Sequence, residues 1–405
     1  MAMRKTAFQR KLLAWYRVNQ RELPWRGTRD PYRIWLSEVM LQQTRVAAVV
    51  DYYRRFLRRF PTVRALARAP EHEVLKQWAG LGYYSRARNL HRAAKKIVAR
   101  HGGRFPRSLD AALTLPGVGA YTAAAVLSIA YRQPHAVLDG NVARVLARLF
   151  AVHGDLRQPR RWRKLQTLAS QLLANGVAAP RGSAQAASQC YNAGDWNQAM
   201  MELGATVCTP RAPRCQQCPV ARWCRARALG IAEDLPAARR KRAPLQVSIA
   251  AAVLLDPRGR TLLLPPNGAA HDGLFSRLWQ FPAVEGVRAA RRRLLQQLEV
   301  RKNKGSTQRP QSSTEDAEAV PFIALQPAHH TVTFRDVMLS PYLVRVENLP
   351  RIPGARTPRL DRLEALPVSS ATRKIAARAL QAIHAQGNRG PAGTAGFNLR
   401  RAGNA

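Results

Sequence analysis

The chain has 405 residues, enough for two domains with their own cores and a linker between them. With 66 Lys and Arg against 24 Asp and Glu the formal charge is +42, and 46% of residues are hydrophobic, which excludes a disordered chain and suits a polyanionic partner. No apolar run approaches the ~20 residues that span a bilayer, and the N-terminal segment is charged throughout, so a soluble chain in a reducing, intracellular compartment is expected, with no membrane.

Apolar residues recur at three-to-four spacing over 8–18, 31–56, 71–79, 86–100, 121–130, 142–150 and 197–207, with Gly and Pro between these runs. An all-α half is predicted. Within 31–56, Glu38 interrupts YRIWLSEVML, with Ile34 and Leu41 one turn away on either side. A carboxylate there loses hydration, so its pKa rises towards a value suited to proton transfer. The plainer alternative is a glutamate that turns to the exposed face. Gln42, Gln43 and Thr44 read as a polar patch continuing the same helix.

In LPGVGAYTA (115–123), Gly117 and Gly119 permit a tight turn before an apolar helix. Backbone N–H groups at such a helix start grip a phosphate, although an ordinary corner between two helices has the same outline. Asp139, in AVLDGNV (136–142), lies ahead of an amphipathic helix. It serves as the N-cap, as Asn141 also could, or stays ionised to stabilise positive charge on a sugar. The two roles are compatible, and glycosidic-bond cleavage requires a neutral acid paired with an ionised carboxylate.

Residues 181–195 are small and polar, and read as a surface insertion carrying Cys190. Next come Cys208, Cys215, Cys218 and Cys224, in the array C-x6-C-x2-C-x5-C. So tight a loop wraps one inorganic centre, and spacing alone leaves zinc and an iron–sulfur cluster both open. A basic linker with Arg239, Arg240, Lys241 and Arg242 follows. Beyond it, 246–255, 261–264 and 332–346 are β-type runs and 288–298 a helix, giving a smaller α+β half. The low-complexity stretch 302–319 and the Gly/Asn/Arg tail are not expected to fold. The predicted organisation is a helical domain over 6–230, a linker over 231–245, an α+β domain over 246–385 and a tail over 386–405.

WLSEVMLQQT (35–44), GLGYYSRARNLH (80–91), LPGVGAYTA, LDGNVARVLARL (138–149), NQAMMELGA (197–205) and the cysteine array together resemble the A/G-specific adenine DNA glycosylase (MutY) family. That family lies in the helix-hairpin-helix superfamily, which also holds endonuclease III. The resemblance implies a [4Fe–4S] cluster on the four cysteines. It also implies double-stranded DNA with adenine opposite 8-oxoguanine or guanine as partner, a monomer, and a cytoplasmic location (on the nucleoid if bacterial). It makes Glu38 the general acid for adenine and Asp139 the carboxylate facing the oxocarbenium-like sugar, with Asn141 and Tyr121 supporting both. Gln43 and Tyr83 would wedge into the stack beside the lesion. Arg21, Leu23, Trp25, Arg26 and Gln198 would line the base pocket, with Thr44 beside it and Gly117 and Gly119 on the phosphate.

Bifunctional relatives carry Lys where this chain has Tyr121, and a phenol cannot form a Schiff base. A monofunctional enzyme leaving an abasic site is expected. The rivals are a related glycosylase for damaged pyrimidines and a cluster-bearing DNA-binding protein without catalysis. In the second half, WQFP (279–282) resembles the Nudix-like domain of the same family. The segment 283–299, read as a helix, offers only Glu285 and Glu299 around Arg291, Arg292 and Arg293, so metal-dependent hydrolysis is not expected. The family's lesion-reading loop, H-x-F-S-H, corresponds to His330–Phe334. Thr333 there replaces the Ser, while Val332 and Phe334 depart from the pattern, and a plain hairpin is the alternative.

Overall fold

Asp30 and Pro31 start the helix around which the first unit is assembled. Pro31 takes the N-terminal position where no N–H is needed, and the Asp30 carboxylate accepts from the Tyr32 and Arg33 N–H groups. The computed structural model describes residues 5–174, 192–237, 243–266, 278–287, 289–303, 322–332 and 334–387. The chain divides into two units, Met1–Lys241 and Arg242–Ala405.

In chain order the first unit contains α1 (Lys5–Asn19), α2 (Pro31–Leu41), α3 (Val46–Arg59), α4 (Val63–Arg68), α5 (Glu71–Trp78), α6 (Tyr84–Arg100), α7 (Leu109–Leu113), α8 (Ala120–Tyr131), α9 (Gly140–Leu149), α10 (Pro159–Ala174), α11 (Ala193–Thr206) and the short α12 (Arg225–Ala228). Helices α2 and α8 pack together at the centre and are apolar nearly all round, as buried helices are. Helix α11 packs against α1, α8 and α9. Its two glycines set the approach. A Cβ on Gly194 would stand 2.7 Å from the Ile129 Cα of α8, and one on Gly204 2.8 Å from the Asn141 Cβ of α9.

Several boundaries differ from the sequence reading. The run 31–56 is two helices, because α2 stops at Leu41 and Gln43 adopts a left-handed conformation (φ 58°). Gln42, Gln43 and Thr44 therefore form a turn rather than a helical face. Helix α11 starts at Ala193 with Asn192 capping it, so the last residues of the supposed insertion are helical, while 175–191, including Cys190, lie outside the described residues. Helices α4, α7 and α10 were not anticipated; α10 buries Leu165, Ala169, Leu172 and Leu173 along one stripe. Leu235, assigned to the linker, is buried, and its carbonyl accepts from Arg148 at 2.7 Å.

The second unit is a sheet covered on both faces. Strand β1 (Leu245–Leu255) runs parallel to β5 (Arg335–Arg345) in continuous register from Leu245↔Arg335 to Leu255↔Arg345. Strand β2 (Ala283–Glu285) pairs antiparallel with β1, and β3 (Phe322–Ala324) and β4 (Ala328–Val332) pair antiparallel with β5. Ile249, Ala251, Val253 and Leu255 face a core shared with α14 (Ser370–Gly387), whereas Ala250, Ala252 and Leu254 face Ala290 and Leu294 of α13 (Ala290–Asn303). A strand buried on both faces reads as a continuous apolar run, as β1 does.

Here too the sequence reading needs correction. Within the run 332–346, 335–345 is β5, while Val332 ends β4, whose residues 328–331 the run left out; 261–264 makes only isolated bridges. Glu285 lies on β2 rather than on a helix. Lys302 and Asn303 belong to α13, and α14 was not anticipated. Residues 238–242 of the linker, 304–321 and 388–405 lie outside the described residues.

Candidate active site

Glu38 sits on the buried centre of α2, only 7% exposed. Its carboxyl is pushed up to about 7, by burial first, with the hydrogen bond from Tyr121 opposing the rise and the Asp139 charge adding to it. Tyr121, in the first turn of α8, donates to Glu38 Oε2 at 2.7 Å. Its phenol lies well above the ordinary value, through burial first and then the two carboxylates. It is a firm proton donor to Glu38 and not a phenolate.

Asp139 caps α9. Its Oδ1 accepts from the Val142 N–H at 2.7 Å, and its Oδ2 from the Asn141 amide at 3.0 Å. Burial pushes the carboxyl above its usual range, a pressure that the cap position alone did not suggest. The Val142 N–H, Asn141 and the Arg144 charge oppose it. Behind Asn141, Arg144 donates to Asn141 Oδ1 (2.8 Å), to the Gly204 carbonyl (2.7 Å) and to the Cys208 carbonyl (2.8 Å). Asp139, Asn141 and the start of the cysteine loop are thus joined by hydrogen bonds.

Glu38, Asp139, Asn141 and Tyr121 line one cavity of about 520 Å³, together with Arg21, Leu23, Trp25, Arg26, Gln43, Thr44 and Gln198. Glu202, which the sequence reading missed, also lines it, fully buried. Arg21 reaches Glu202 at 2.7 and 2.9 Å and Arg26 at 2.5 Å. Burial pushes Glu202 up, but the two guanidiniums outweigh it and hold the carboxyl below its ordinary value. Its signal was available: like Glu38, it is a glutamate in an apolar helical run, one turn after Gln198. The cavity therefore has a carboxylate with fixed charge, a carboxyl that titrates near neutrality, and an apolar flank from Leu23, Trp25 and Ile34.

Three predicted contacts lie off the cavity lining. Tyr83 is the N-cap of α6 in a left-handed conformation (φ 48°, ψ 54°) and is 44% exposed. Such backbone at a non-glycine residue costs about 1–3 kcal/mol and persists only where neighbours impose it. Gly117 has φ +75°, and a Cβ there would meet the Asn89 Cβ at 2.7 Å. Gly119 caps α8 with no side-chain hydrogen bond, and a Cβ there would meet open space, so the helix start presents bare backbone. Thr333 lies outside the described residues; its neighbour Phe334 is 55% exposed at the hairpin tip.

Cys208, Cys215, Cys218 and Cys224 are free thiols, all partly buried. The Cys218 thiol is pushed up to about 11, by burial first, with the Val220 backbone hydrogen bond opposing and the charges of Cys208, Cys224 and Cys215 adding to the rise. Arg148, buried beneath them, donates to Cys208 Sγ at 3.3 Å and to the Thr209 carbonyl at 2.7 Å. Among the described residues no three side chains stand close enough to grip a single metal ion. A zinc tetrathiolate, with Zn–S near ~2.3 Å, would need that crowding, whereas a cluster takes one cysteine on each of several irons. The donor set fits the cluster.

Residues 36–172 match the HhH-GPD superfamily base excision DNA repair protein family, and residues 208–224 match the iron-sulfur binding domain of endonuclease III. Residues 36–172 thus form a domain of this helix-hairpin-helix superfamily, and the four-cysteine loop is the ligand set of a [4Fe–4S] cluster. Curated proteins similar to this chain include adenine DNA glycosylases. The one from Homo sapiens is 39% identical over 350 residues, 73% of this chain and 61% of that protein. The one from Rattus norvegicus is 47% identical over 230 residues, 55% of this chain and 42% of that protein. The chain thus spans about half the length of the curated relatives it matches. A solved thermostable thymine-DNA glycosylase is 30% identical with a TM-score of 0.48, covering 56% of this chain and 100% of that one.

Proposed function

We propose that the chain is a monofunctional adenine DNA glycosylase of base excision repair. It hydrolyses the N-glycosidic bond of adenine opposite 8-oxoguanine or guanine in double-stranded DNA and leaves an abasic site. The observation that carries this is the meeting of Glu38 and Asp139 on one cavity, with Glu38 titrating near neutrality.

Protonated Glu38 donates to the departing adenine ring, so the base leaves neutral. Positive charge then develops on the sugar, and Asp139, held by Val142 and Asn141, faces it as the anion. Glu38, now ionised and accepting from Tyr121, takes a proton from the attacking water and is reset. Glu202 with Arg21 and Arg26 orients the base. Tyr121 supplies no amine, so no Schiff base forms and the strand is not cut.

The target base must first leave the stack, at a cost of a few kcal/mol. Gln43 and Tyr83 fill the space it vacates, and backbone N–H groups at Gly117 and Gly119 hold a phosphate. When bound, the cluster supplies a rigid scaffold for the Arg-rich cysteine loop; Arg148 and Arg144 tie that loop to α9. The second unit acts as a Nudix-like reader of the lesion strand through the hairpin around Thr333. A monomer working in the cytoplasm, on the nucleoid if bacterial, completes the reading.

The test is incubation of purified protein with a duplex carrying adenine opposite 8-oxoguanine, with free adenine quantified and the strand checked for scission. Release of adenine from an intact strand supports the reading. No release, or release of thymine or a damaged pyrimidine instead, refutes it.

A further inference from the structure

Arg86 has no place in the mechanism above, yet it joins two segments that do. It stands in the first turn of α6, 8% exposed, and reaches to the end of α2. Its Nη1 donates to the Val39 carbonyl at 3.0 Å, the Met40 carbonyl at 2.9 Å and the Gln42 carbonyl. Its Nη2 donates to Thr44 Oγ1 at 3.1 Å, the Gly82 carbonyl at 3.2 Å and the Leu81 carbonyl at 3.4 Å. The guanidinium lies 5.5 Å from the Trp78 ring centroid and 5.3 Å from that of Tyr83.

One planar fork therefore holds the turn containing Gln43 with one nitrogen and grips both that turn and the loop before Tyr83 with the other. Gln43 and Tyr83 are both left-handed without being glycine, at φ 58° and φ 48°. Neither conformation is self-supporting. The acceptors are the carbonyls that a helix end and a glycine loop leave open. Burial pulls the Arg86 pKa down to about 10, so the side chain keeps its charge at neutral pH against a desolvation cost.

We propose that Arg86 is the positioning residue that locks Gln43 and Tyr83, from two separate loops, into one rigid wedge, so that both enter the base stack together. The inference rests on the glycosylase reading for what the wedge does. Arg86 touches no reacting atom. A lysine at this position keeps a charge but loses the fork that spans both loops.

The test compares the parent with Arg86→Lys and Arg86→Met. Without DNA, amide hydrogen exchange should rise in 42–44 and 80–83 together, and little elsewhere. With DNA, the fluorescence rise of a 2-aminopurine beside the target adenine should shrink. Single-turnover adenine release from a paired duplex should fall about tenfold, with release of the same adenine from an unpaired bubble falling less than about twofold. Exchange that rises in one segment alone, or equal losses on paired and bubble substrates, would overturn the proposal. If both variants fail to fold, Arg86→Gln, whose neutral amide keeps donors but reaches fewer acceptors, should give the same pattern; no selective loss on the paired duplex counts against the lock. A parent that releases no adenine from either substrate refutes the glycosylase reading, while exchange in the two segments still decides the role of Arg86.

Discussion

Tyr121 donates its phenolic hydrogen to Glu38 at 2.7 Å, from the first turn of one buried helix to the middle of another. The bond favours ionised Glu38, while burial and Asp139 favour the neutral acid. Removing it with Tyr121→Phe should let the Glu38 pKa climb above about 7. Under single turnover, the alkaline limb of the rate profile should move to higher pH. A limb that moves to lower pH contradicts the assignment.

The same balance predicts a stability effect. Glu38 has its pKa raised from 4.5 to about 7 on folding, so the folded state holds a proton that the unfolded state has already lost. The resulting cost is absent below the unfolded value, grows as pH rises through that interval and is complete above the folded value. Its size is on the order of 3 kcal/mol. Glu38→Gln should therefore melt higher than the parent at pH 8 and equally at pH 4, while abolishing adenine release and keeping DNA binding. Undiminished turnover would remove Glu38 from the acid role.

Glu202 is the opposite case, a buried carboxylate held ionised by two guanidiniums. Glu202→Ala leaves Arg26, itself only 12% exposed, without its partner. Removing one member of such a pair costs about 3–5 kcal/mol. Chemical denaturation should show that loss, and restoring the charge with Asp should recover little, because the shorter side chain cannot reach both arginines.

Gly204 lets α11 lie against α9. In Gly204→Ala the new Cβ meets the Asn141 Cβ at 2.8 Å and its carbonyl oxygen at 3.0 Å. Overpacking of this kind costs about 1–3 kcal/mol. The displacement falls on Asn141 and so on Asp139. Adenine release should drop by more than the change in melting temperature accounts for, and a matched loss would argue against the coupling.

Arg148 ties the cysteine loop to the helical core through Cys208 Sγ and the carbonyls of Thr209, Pro210 and Leu235. Arg148→Met strands those carbonyls at about 1–3 kcal/mol each. Iron, followed by visible absorbance, should be lost to a chelator faster than from the parent. Identical loss rates would show that the arginine does not secure the cluster loop.

Glu38 and Asp139 were legible because each breaks an apolar pattern, and the cysteine loop because its spacing lies within one short segment. Glu202 breaks a pattern in the same way, but its partners Arg21 and Arg26 lie far upstream, so local reading had no charge to pair it with. The end of α2 was illegible for a related reason. QQTR contains neither Gly nor Pro, and Arg86, which grips the turn around left-handed Gln43, lies on another helix. In the second unit, β2 and β3 are three residues long, too short to show an alternation. The Ala-rich stripe of α14 carries little apolar weight until the sheet it covers is known.

The pairing of β1 with β5 has a consequence for synthesis on the ribosome. The strand that begins the second unit emerges first, yet its parallel partner exists only once the chain has reached Arg335. Until then an apolar ribbon waits in the nascent chain with one edge wholly open and the other covered only by the three residues of β2, exposed to any other strand it meets. A truncation that ends before Arg345 should therefore be judged by its tendency to aggregate rather than by loss of a few contacts, and one that starts after Leu255 removes a central strand.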